Sequence, residues 1–365
     1  MSKSSSVSPT QLFAMIILFE FGTALVLPIG QAAGSNVWLS ILLAMPGGMI
    51  LYVLYTYFNR QFPALTLSGY IRKILGPYFG WPVSFLYIVY FIYISSRNLR
   101  EAGDLLISAS YDETPLATVH AVMIIAVIYV IYKGVNVLFR LGEIYILIII
   151  SLGILSQAAV LFSGALELRN LLPLMGEGFI PTLRDAYPNI LMFPFSELIC
   201  FATIFPHMKQ QKLIRKTGLL AILASSLMLS LSHAIEIAII GKDIYSRATF
   251  PLFTSITIVE VAEFMQRLDP FVILTLIIGV FFKMTVYAYA VTAMAADLFR
   301  IEDRRQLAFP IGIVIFLISV LSAWSFPEHN SEGRVHLITG SPFFTVAVPI
   351  LLLLVHLLKK RSTHS

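Results

Sequence analysis

Charged residues are scarce in this 365-residue chain, at 12% of the total, whereas 58% of the residues are apolar. Soluble domains carry about 25% charged residues, and so few charges could not keep a chain of this apolar content dissolved. The composition therefore excludes a soluble enzyme, a disordered chain and a nucleic-acid-binding protein. Cysteine is nearly absent as well. The single Cys200 excludes an internal disulfide, and its apolar neighbours predict a small buried side chain.

Catalytic and metal-binding motifs are also missing from the sequence. It contains no H-E-x-x-H, G-x-S-x-G, P-loop or C-x-x-C pattern, and its seven histidines are scattered. We therefore expect a protein that is not an enzyme and that has no metal site and no cofactor.

The sequence has instead ten apolar segments, most of them close to the 20 or so residues that cross a bilayer core of about 30 Å. This pattern predicts an all-α membrane protein with ten transmembrane helices in one polytopic domain, residues 1–365, embedded in a lipid bilayer. The predicted spans are 11–31, 37–58, 81–107, 116–132, 135–162, 185–206, 219–240, 270–299, 308–326 and 341–358.

The basic residues predict the orientation of these spans. With the N-terminus placed in the cytoplasm, sixteen lysines and arginines fall on the inner side and six on the outer side. This positive-inside bias predicts that both termini are cytoplasmic. Two further helices are expected outside the spans. An amphipathic helix over 66–76 would lie on the inner membrane face, and a helix over 256–265 would lie on or dip into the outer surface.

Two spans carry polar interruptions near their middle. Span one is interrupted at 20–23, and span six is interrupted at 193–197. Spans one and six are the first spans of the two five-span halves, about 11–162 and 185–358. Paired interruptions at corresponding positions of two halves predict an inverted-repeat transporter fold with helices 1 and 6 broken. A broken helix exposes backbone groups that must line a cavity or pack against protein, and a freed half-helix N-terminus suits a carboxylate.

Four charged side chains lie well inside the spans, where each costs about 2.5–3.5 kcal/mol on insertion scales. They are Glu20, Glu143, Glu197 and Lys283. The similar depth of Glu197 and Lys283 makes a pair plausible, which could bind the amino and carboxyl groups of an amino acid or could simply neutralise itself. Tyr287 is four residues after Lys283 and shares its helix face.

Span three carries a polar stripe that cannot face lipid. Arg97 with Glu101, and Arg100 with Asp104, have the i,i+4 spacing of helical ion pairs, and we interpret them as structural pairs rather than as ligand contacts. Tyr87 and Phe91 lie deeper in the span and are candidates for a pocket wall.

The chain resembles the B subunits of the GerA-type germinant receptors of bacterial spores, within the amino acid–polyamine–organocation transporter superfamily. The motifs that carry the resemblance are distributed over nearly the whole chain. They are Gln11-Leu12-Phe13 with Gly22 and Leu27-Pro28, 36–40, Arg97-x-x-x-Glu101, Leu172-Pro173 leading to 176–178, 193–197, 206–209 and Tyr287-x-Tyr289. Departures include Lys283, which is unusual for a pocket position in that family.

The resemblance implies a LeuT-like fold of inverted five-helix repeats, a spore inner-membrane location and a nutrient-sensing role. It also implies two partners, an A-type membrane subunit and a C-type lipoprotein subunit. The implied pocket lies among spans one, three, six and eight. Its lining would be Phe21, Gly22, Thr23, Tyr87, Phe91, Pro194, Phe195, Ser196, Lys283 and Tyr287. The buried charge of Glu197 makes this residue a further ligand-binding candidate.

Three functions are compatible with this sequence. A germinant receptor subunit would bind a small nutrient in mid-membrane and signal to its partners. A proton-coupled amino acid permease would use the same pocket with alternating access, and a structural subunit would keep only a vestigial pocket. An amino acid is the first choice of ligand because half-helix N-termini with Glu197 and Lys283 suit a zwitterion, while the tyrosines leave a sugar possible.

Overall fold

The computed structural model describes residues 7–110, 113–174, 178–259 and 269–362. Within these ranges the regular structure is helical, apart from one isolated bridge between Val7 and Met208. The α-helices are α1 (Pro9–Phe21), α2 (Val37–Gln61), α3 (Leu67–Ser110), α4 (Leu116–Lys133), α5 (Val135–Ser163), α6 (Phe179–Arg184), α7 (Ile214–Tyr245), α8 (Pro251–Ile258), α9 (Asp269–Phe299), α10 (Ala308–Leu321), α11 (Phe326–Ile338), α12 (Gly340–Pro342) and α13 (Val348–Ser362).

In the described part of the chain, eight helices are long and apolar enough to cross a membrane. They correspond to the predicted spans two to five and seven to ten. Their outer surfaces carry exposed apolar side chains such as Ile125, Leu147 and Leu161. Exposed Tyr78 lies just after the kink of α3 at Gly76, and exposed Trp324 lies just after the end of α10. Aromatic side chains are enriched at membrane interfaces. The protein is therefore a multi-pass membrane protein.

Predicted span one is helical only in its first half. Helix α1 ends at Phe21, and Gly22 has φ +24°, a value that L side chains rarely adopt. The chain then continues as turns to residue 27 and as irregular structure to Gly30, instead of as a helix. Two side chains of α7 bond the carbonyls of this segment. His233 Nε2 lies 2.9 Å from the Ala24 oxygen, and the Tyr245 hydroxyl donates to the Ile29 oxygen at 2.8 Å.

Predicted span six is also discontinuous. It begins as a π-helix, Asp185–Ile190, and ends as 3-10 helices, Phe195–Thr203 and Phe205–His207, so its backbone lacks the regular bonding of an α-helix. All nine residues of Phe195–Thr203 are buried among the other helices. Irregular backbone at this depth is tolerated because protein, and not lipid, surrounds it.

The predicted amphipathic helix over 66–76 forms the start of α3, but its apolar stripe does not face the membrane. Leu67, Tyr70, Ile71 and Ile74 are buried in the core, and the Tyr70 ring stacks on Phe58 at 5.2 Å. The physical reason is the sharp change of direction at Gly76, where φ is +82° and the segment turns back against the bundle.

Two helices in the connections between spans also differ from the expectation. Helix α8 occupies Pro251–Ile258, earlier than the predicted 256–265, most of which lies outside the described residues. Helix α11 occupies a connection for which the sequence predicted no helix. Its N-cap Ser325 accepts a hydrogen bond from the Glu328 backbone, and Pro327 stands at an early position where its missing N–H costs nothing.

Candidate ligand site at the helix breaks

A buried ion pair lies between the two helix breaks. Lys283 of α9 is fully buried, and its Nζ lies 2.5 Å from Glu197 Oε2 in the 3-10 helix that follows the second break. The same ammonium lies 4.3 Å from the ring centre of Phe193 and 5.4 Å from that of Phe19. The cation–π contacts with the two rings partly replace the hydration that the buried ammonium group loses. The sequence analysis did not predict either phenylalanine as a ligand-site residue, although Phe193 opens the interruption at 193–197.

The first break packs directly against α9. A Cβ atom at Gly279 would lie 2.6 Å from the Gly22 carbonyl oxygen, and a Cβ atom at Gly22 would lie 2.5 Å from Lys283 Cδ. Both positions therefore require glycine for this close approach. Gly279 was missed in the sequence, although it stands four residues before Lys283 and so shares its helix face.

A second carboxylate next to this pair has no counter-charge of its own. Glu20 is fully buried near the end of α1, and neither of its carboxylate oxygens has a hydrogen-bond partner in the described part of the protein. It is close enough to Lys283 and Glu197 to interact with both electrostatically. Two carboxyl groups thus lie near one ammonium group, and Glu20 can accept a further positive charge, either a proton or a cationic group of a ligand.

An aromatic wall connects α9 with α3 at this depth. The Tyr287 ring lies 5.2 Å from Phe19 and 5.6 Å from Phe91. Tyr87 continues the wall at 5.8 Å from Phe91, and its hydroxyl donates to the Phe344 oxygen at 2.6 Å. These contacts place three of the predicted pocket residues in one buried layer beside the ion pair.

A cavity of about 180 Å³ reaches Glu197 from the side of α11. This volume is below the roughly 300–1,000 Å³ that is usual for drug-sized ligands, so it suits a small metabolite. It is lined by Leu27, Pro28, Ile94, Arg97, Asn98, Glu101, Met192, Phe193, Glu197, Asn330, Gly333, Arg334, His336, Leu337 and Ser341. Of the predicted ligand-binding residues, only Glu197 is in this lining.

The predicted ion pairs of span three are formed, and one of them also lines the cavity. Arg97 Nη2 lies 3.7 Å from Glu101 Oε1, and Arg100 Nε donates to Asp104 Oδ2 at 2.8 Å. Arg97 and Glu101 also line the cavity, although the sequence analysis had interpreted them as structural pairs only.

The same side chains hold α11 against the cavity. Arg97 Nη1 donates to the His329 carbonyl oxygen at 3.1 Å, and His329 Nε2 lies 3.6 Å from Glu101 Oε1. His329 is fully buried. The sequence analysis passed over it because no motif marks it, and only the packing of α11 brings it to span three.

Three side chains at the second break, those of Pro194, Phe195 and Ser196, support the break and do not line the cavity. Phe195 packs against Gly48 of α2. A Cβ atom added at Gly48 would lie 2.7 Å from Phe195 Cβ. Ser196 donates to the Met192 oxygen at 2.9 Å, and its own carbonyl oxygen accepts from the Tyr55 hydroxyl at 3.1 Å. Pro194 precedes this 3-10 helix at its N-cap position.

The remaining predicted residues belong to the first break. Phe21 closes α1 and is buried. The Thr23 hydroxyl is buried and has no hydrogen-bond partner within the described ranges. The structure thus divides the predicted residues between the ion pair, the aromatic wall and the supporting backbone, and Phe21 lines a different cavity together with residues of α5 and α7.

Comparisons with known proteins agree with this architecture. Residues 6–327 match the family model described as spore germination protein. The chain is 36% identical over 361 residues to spore germination protein KB of Bacillus subtilis (strain 168), covering 98% of this chain and 96% of that protein.

Solved structures show the same fold at low sequence identity. Mhp1, a nucleobase-cation-symport-1 family transporter in a closed conformation with bromovinylhydantoin bound, superposes with a TM-score of 0.71 at 13% identity, over 93% of this chain and 76% of that one. MhsT in complex with L-phenylalanine gives 0.65 at 15% identity, over 96% and 89%.

The fold is therefore that of LeuT-like transporters. The expected membership is also confirmed, because the family model covers most of the chain and protein KB aligns along nearly all of it. This chain belongs to the spore germination protein family, as a relative of the GerA-type B subunits.

Proposed function

We propose that this protein is the nutrient-sensing membrane subunit of a spore germinant receptor and that it binds a free amino acid between the two helix breaks. The observation that carries the proposal is the buried set of Glu20, Glu197 and Lys283 next to a small cavity. The ammonium group of an amino acid would supply the positive charge that the two carboxylates lack. Its carboxylate would bind the ammonium group of Lys283 or the guanidinium group of Arg97.

Binding of this kind can produce a signal only if the ligand favours one conformation. A ligand shifts an equilibrium by its differential affinity for the two states. Lys283 now compensates Glu197, and a ligand ammonium that takes this place would release Lys283 towards Glu20. The first break and α9 meet at Gly22 and Gly279, so such a movement would change the contact between them.

The rest of the proposal concerns architecture and partners. We propose ten spans that form two inverted repeats within a single domain. The first span is α1 with the irregular segment after Phe21, and the sixth span is residues 185–206. Both termini lie on the cytoplasmic side of the spore inner membrane. The signal passes to an A-type membrane subunit and a C-type lipoprotein subunit, and a sugar is the second choice of ligand.

The decisive experiment uses spores that carry this receptor as their only one. We expect one or a few amino acids from a panel of amino acids and sugars to trigger germination. The Glu197→Gln variant should raise the effective nutrient concentration at least tenfold, because a neutral amide attracts an ammonium group much less strongly. Gly153→Ala is the matched control, since no atom lies within 4 Å of the added methyl group. An unchanged response of Glu197→Gln, at equal receptor levels by immunoblot, would refute the site.

Glu20 also supports a second candidate function, a proton-coupled amino acid permease. A buried carboxylate without a hydrogen-bond partner among the described residues is a suitable proton carrier. Uptake of labelled amino acid by the chain alone in vesicles, lost in Glu20→Gln, would favour the permease. Binding without uptake, together with dependence on the partner subunits, would favour the receptor. Neither binding nor uptake would favour the structural subunit.

A further inference from the structure

A larger cavity with a different lining lies in a groove between α2 and α7. Its volume is about 700 Å³. It is lined by Met49, Thr56, Asn59, Arg60, Gln211, Lys212, Ile214, Arg215, Lys216, Leu219, Leu220 and Leu223. Four of these side chains are basic and none is acidic, so the groove attracts an anion.

The groove opens at the end of the bundle that holds the start of the chain. Val7 donates to the His207 oxygen at 2.9 Å and accepts from Lys209 N at 3.0 Å, which ties the N-terminal segment to the loop before α7. We call this the N-terminal end, and the basic residues predict that it is cytoplasmic. Farther along the groove the lining becomes apolar, with half-buried or exposed Leu219, Leu220 and Leu223 of α7.

The basic side chains are free to bind a ligand. Arg60, Lys212 and Lys216 are exposed, and Arg215 Nε donates only to the Thr56 hydroxyl, at 3.3 Å. None of the four forms an ion pair with an acidic residue in the ranges that the structure describes. Basic pockets between transmembrane helices on the cytoplasmic side are typical binding sites for anionic lipid headgroups.

A buried acceptor points to a more specific ligand. Gln211 Nε2 donates to the carbonyl oxygens of Phe205 at 2.8 Å and Met208 at 3.2 Å, which settles the orientation of this amide. Its Oε1 must then accept from Asn59 Nδ2, at 2.9 Å. Asn59 Oδ1 is thereby left buried without a hydrogen-bond donor in the described structure, although Asn59 lines the groove. An occupant with a hydroxyl group would satisfy it.

We propose that this groove binds an anionic phospholipid whose headgroup carries hydroxyl groups, of the phosphatidylglycerol type. The phosphate lies against Arg60, Lys212 and Lys216, a headgroup hydroxyl donates to Asn59 Oδ1, and an acyl chain follows the leucines of α7. This site is independent of the proposed nutrient site, because the two cavities share no lining residue.

The experiment measures lipid retention by the purified full-length chain with native mass spectrometry, after exchange into detergent with defined lipids. We expect phosphatidylglycerol to be retained at least tenfold more strongly than phosphatidylcholine, which has no net charge. Phosphatidylethanol, which has the same phosphodiester charge but no headgroup hydroxyl, should fall between them. The combined Arg60→Gln, Lys212→Gln and Lys216→Gln variant should lose the preference over phosphatidylcholine. Arg140→Gln, an exposed basic residue outside the groove, should keep it.

A second variant tests the hydroxyl contact separately from the charge. Asn59→Ala should abolish the preference for phosphatidylglycerol over phosphatidylethanol while it preserves the preference of both over phosphatidylcholine. Equal retention of phosphatidylglycerol and phosphatidylcholine by the unmodified chain, or an unchanged preference in the triple variant, would overturn the proposal. An acidic protein segment would then be the better candidate occupant.

Discussion

Replacement of Lys283 by methionine should be among the most destabilising single changes in this protein. The side chain is fully buried, and Glu197 is only 8% exposed, so neither charge can be compensated by water. Methionine fills a similar volume but leaves Glu197 and Glu20 without a counter-charge. Removal of one partner from a buried pair costs about 3–5 kcal/mol. We expect a loss of this size in the free energy of unfolding in detergent micelles.

The double variant Lys283→Met with Glu197→Gln separates lost charge from lost packing. If the ion pair is the cause, removal of the second charge should recover most of the loss, because replacing both members of a buried pair is often nearly neutral. The coupling energy from the double-mutant cycle should then be about 2 kcal/mol or more. The Phe193 ring should contribute little to this coupling, because its cation–π contact is present in both forms that keep Lys283 and absent in both forms with methionine, so that it cancels.

The assay is reversible unfolding by a denaturing detergent, followed by far-ultraviolet circular dichroism. Lys133→Met, an exposed lysine at the end of α4, is the control and should change stability by less than about 0.5 kcal/mol. Additive effects of the two single substitutions at Lys283 and Glu197 would show that the two groups are not coupled, and the site would then lose its electrostatic basis.

Three further results are expected. Gly279→Ala should cost about 1–3 kcal/mol of unfolding free energy, because its methyl group would lie 2.6 Å from a backbone oxygen of the first break, whereas Gly153→Ala should be nearly neutral. Arg97→Gln should speed hydrogen exchange in α11 relative to α4, because the bond to the His329 carbonyl is lost; unchanged exchange would contradict its holding role. Outside the spans, burial and the charge of Arg304 lower the pKa of His207 to about 4. The free energy of unfolding should therefore fall as the pH drops from 6.5 to about 4, and it should fall less in His207→Gln. The same pH dependence of stability in both proteins would contradict the lowered pKa of His207.

Much of the fold follows from local composition. Apolar runs of sufficient length predicted α2, α4, α5 and α9 to within a few residues, because a bilayer core requires about 20 apolar residues and internally bonded backbone. The two interrupted spans were predicted at the places where the structure departs from regular α-helix. Glycine and proline change local backbone preferences, and this effect is readable without tertiary contacts.

The candidate site was predictable in part for the same reason. Charges inside apolar spans stand out, so Glu197 and Lys283 could be paired by their depth. The contacts of aromatic rings with Lys283 could not be found this way, because phenylalanines are numerous in the sequence and only packing brings Phe19 and Phe193 to this lysine. His329 carried no signal at all, since its helix is short and polar.

The sequence by itself determined the environment, the positions of the spans and the two breaks, because these depend on transfer free energies and on backbone preferences along the chain. The tertiary structure alone decided which buried charge remained unpaired, which helix closed over the cavity and which apolar stripe turned inwards. Each of these depends on contacts between residues far apart in the chain, such as Arg97 with His329 and Gly22 with Gly279. The pattern of residues along one segment carries no information about such contacts, because they form only when the whole helix bundle is packed.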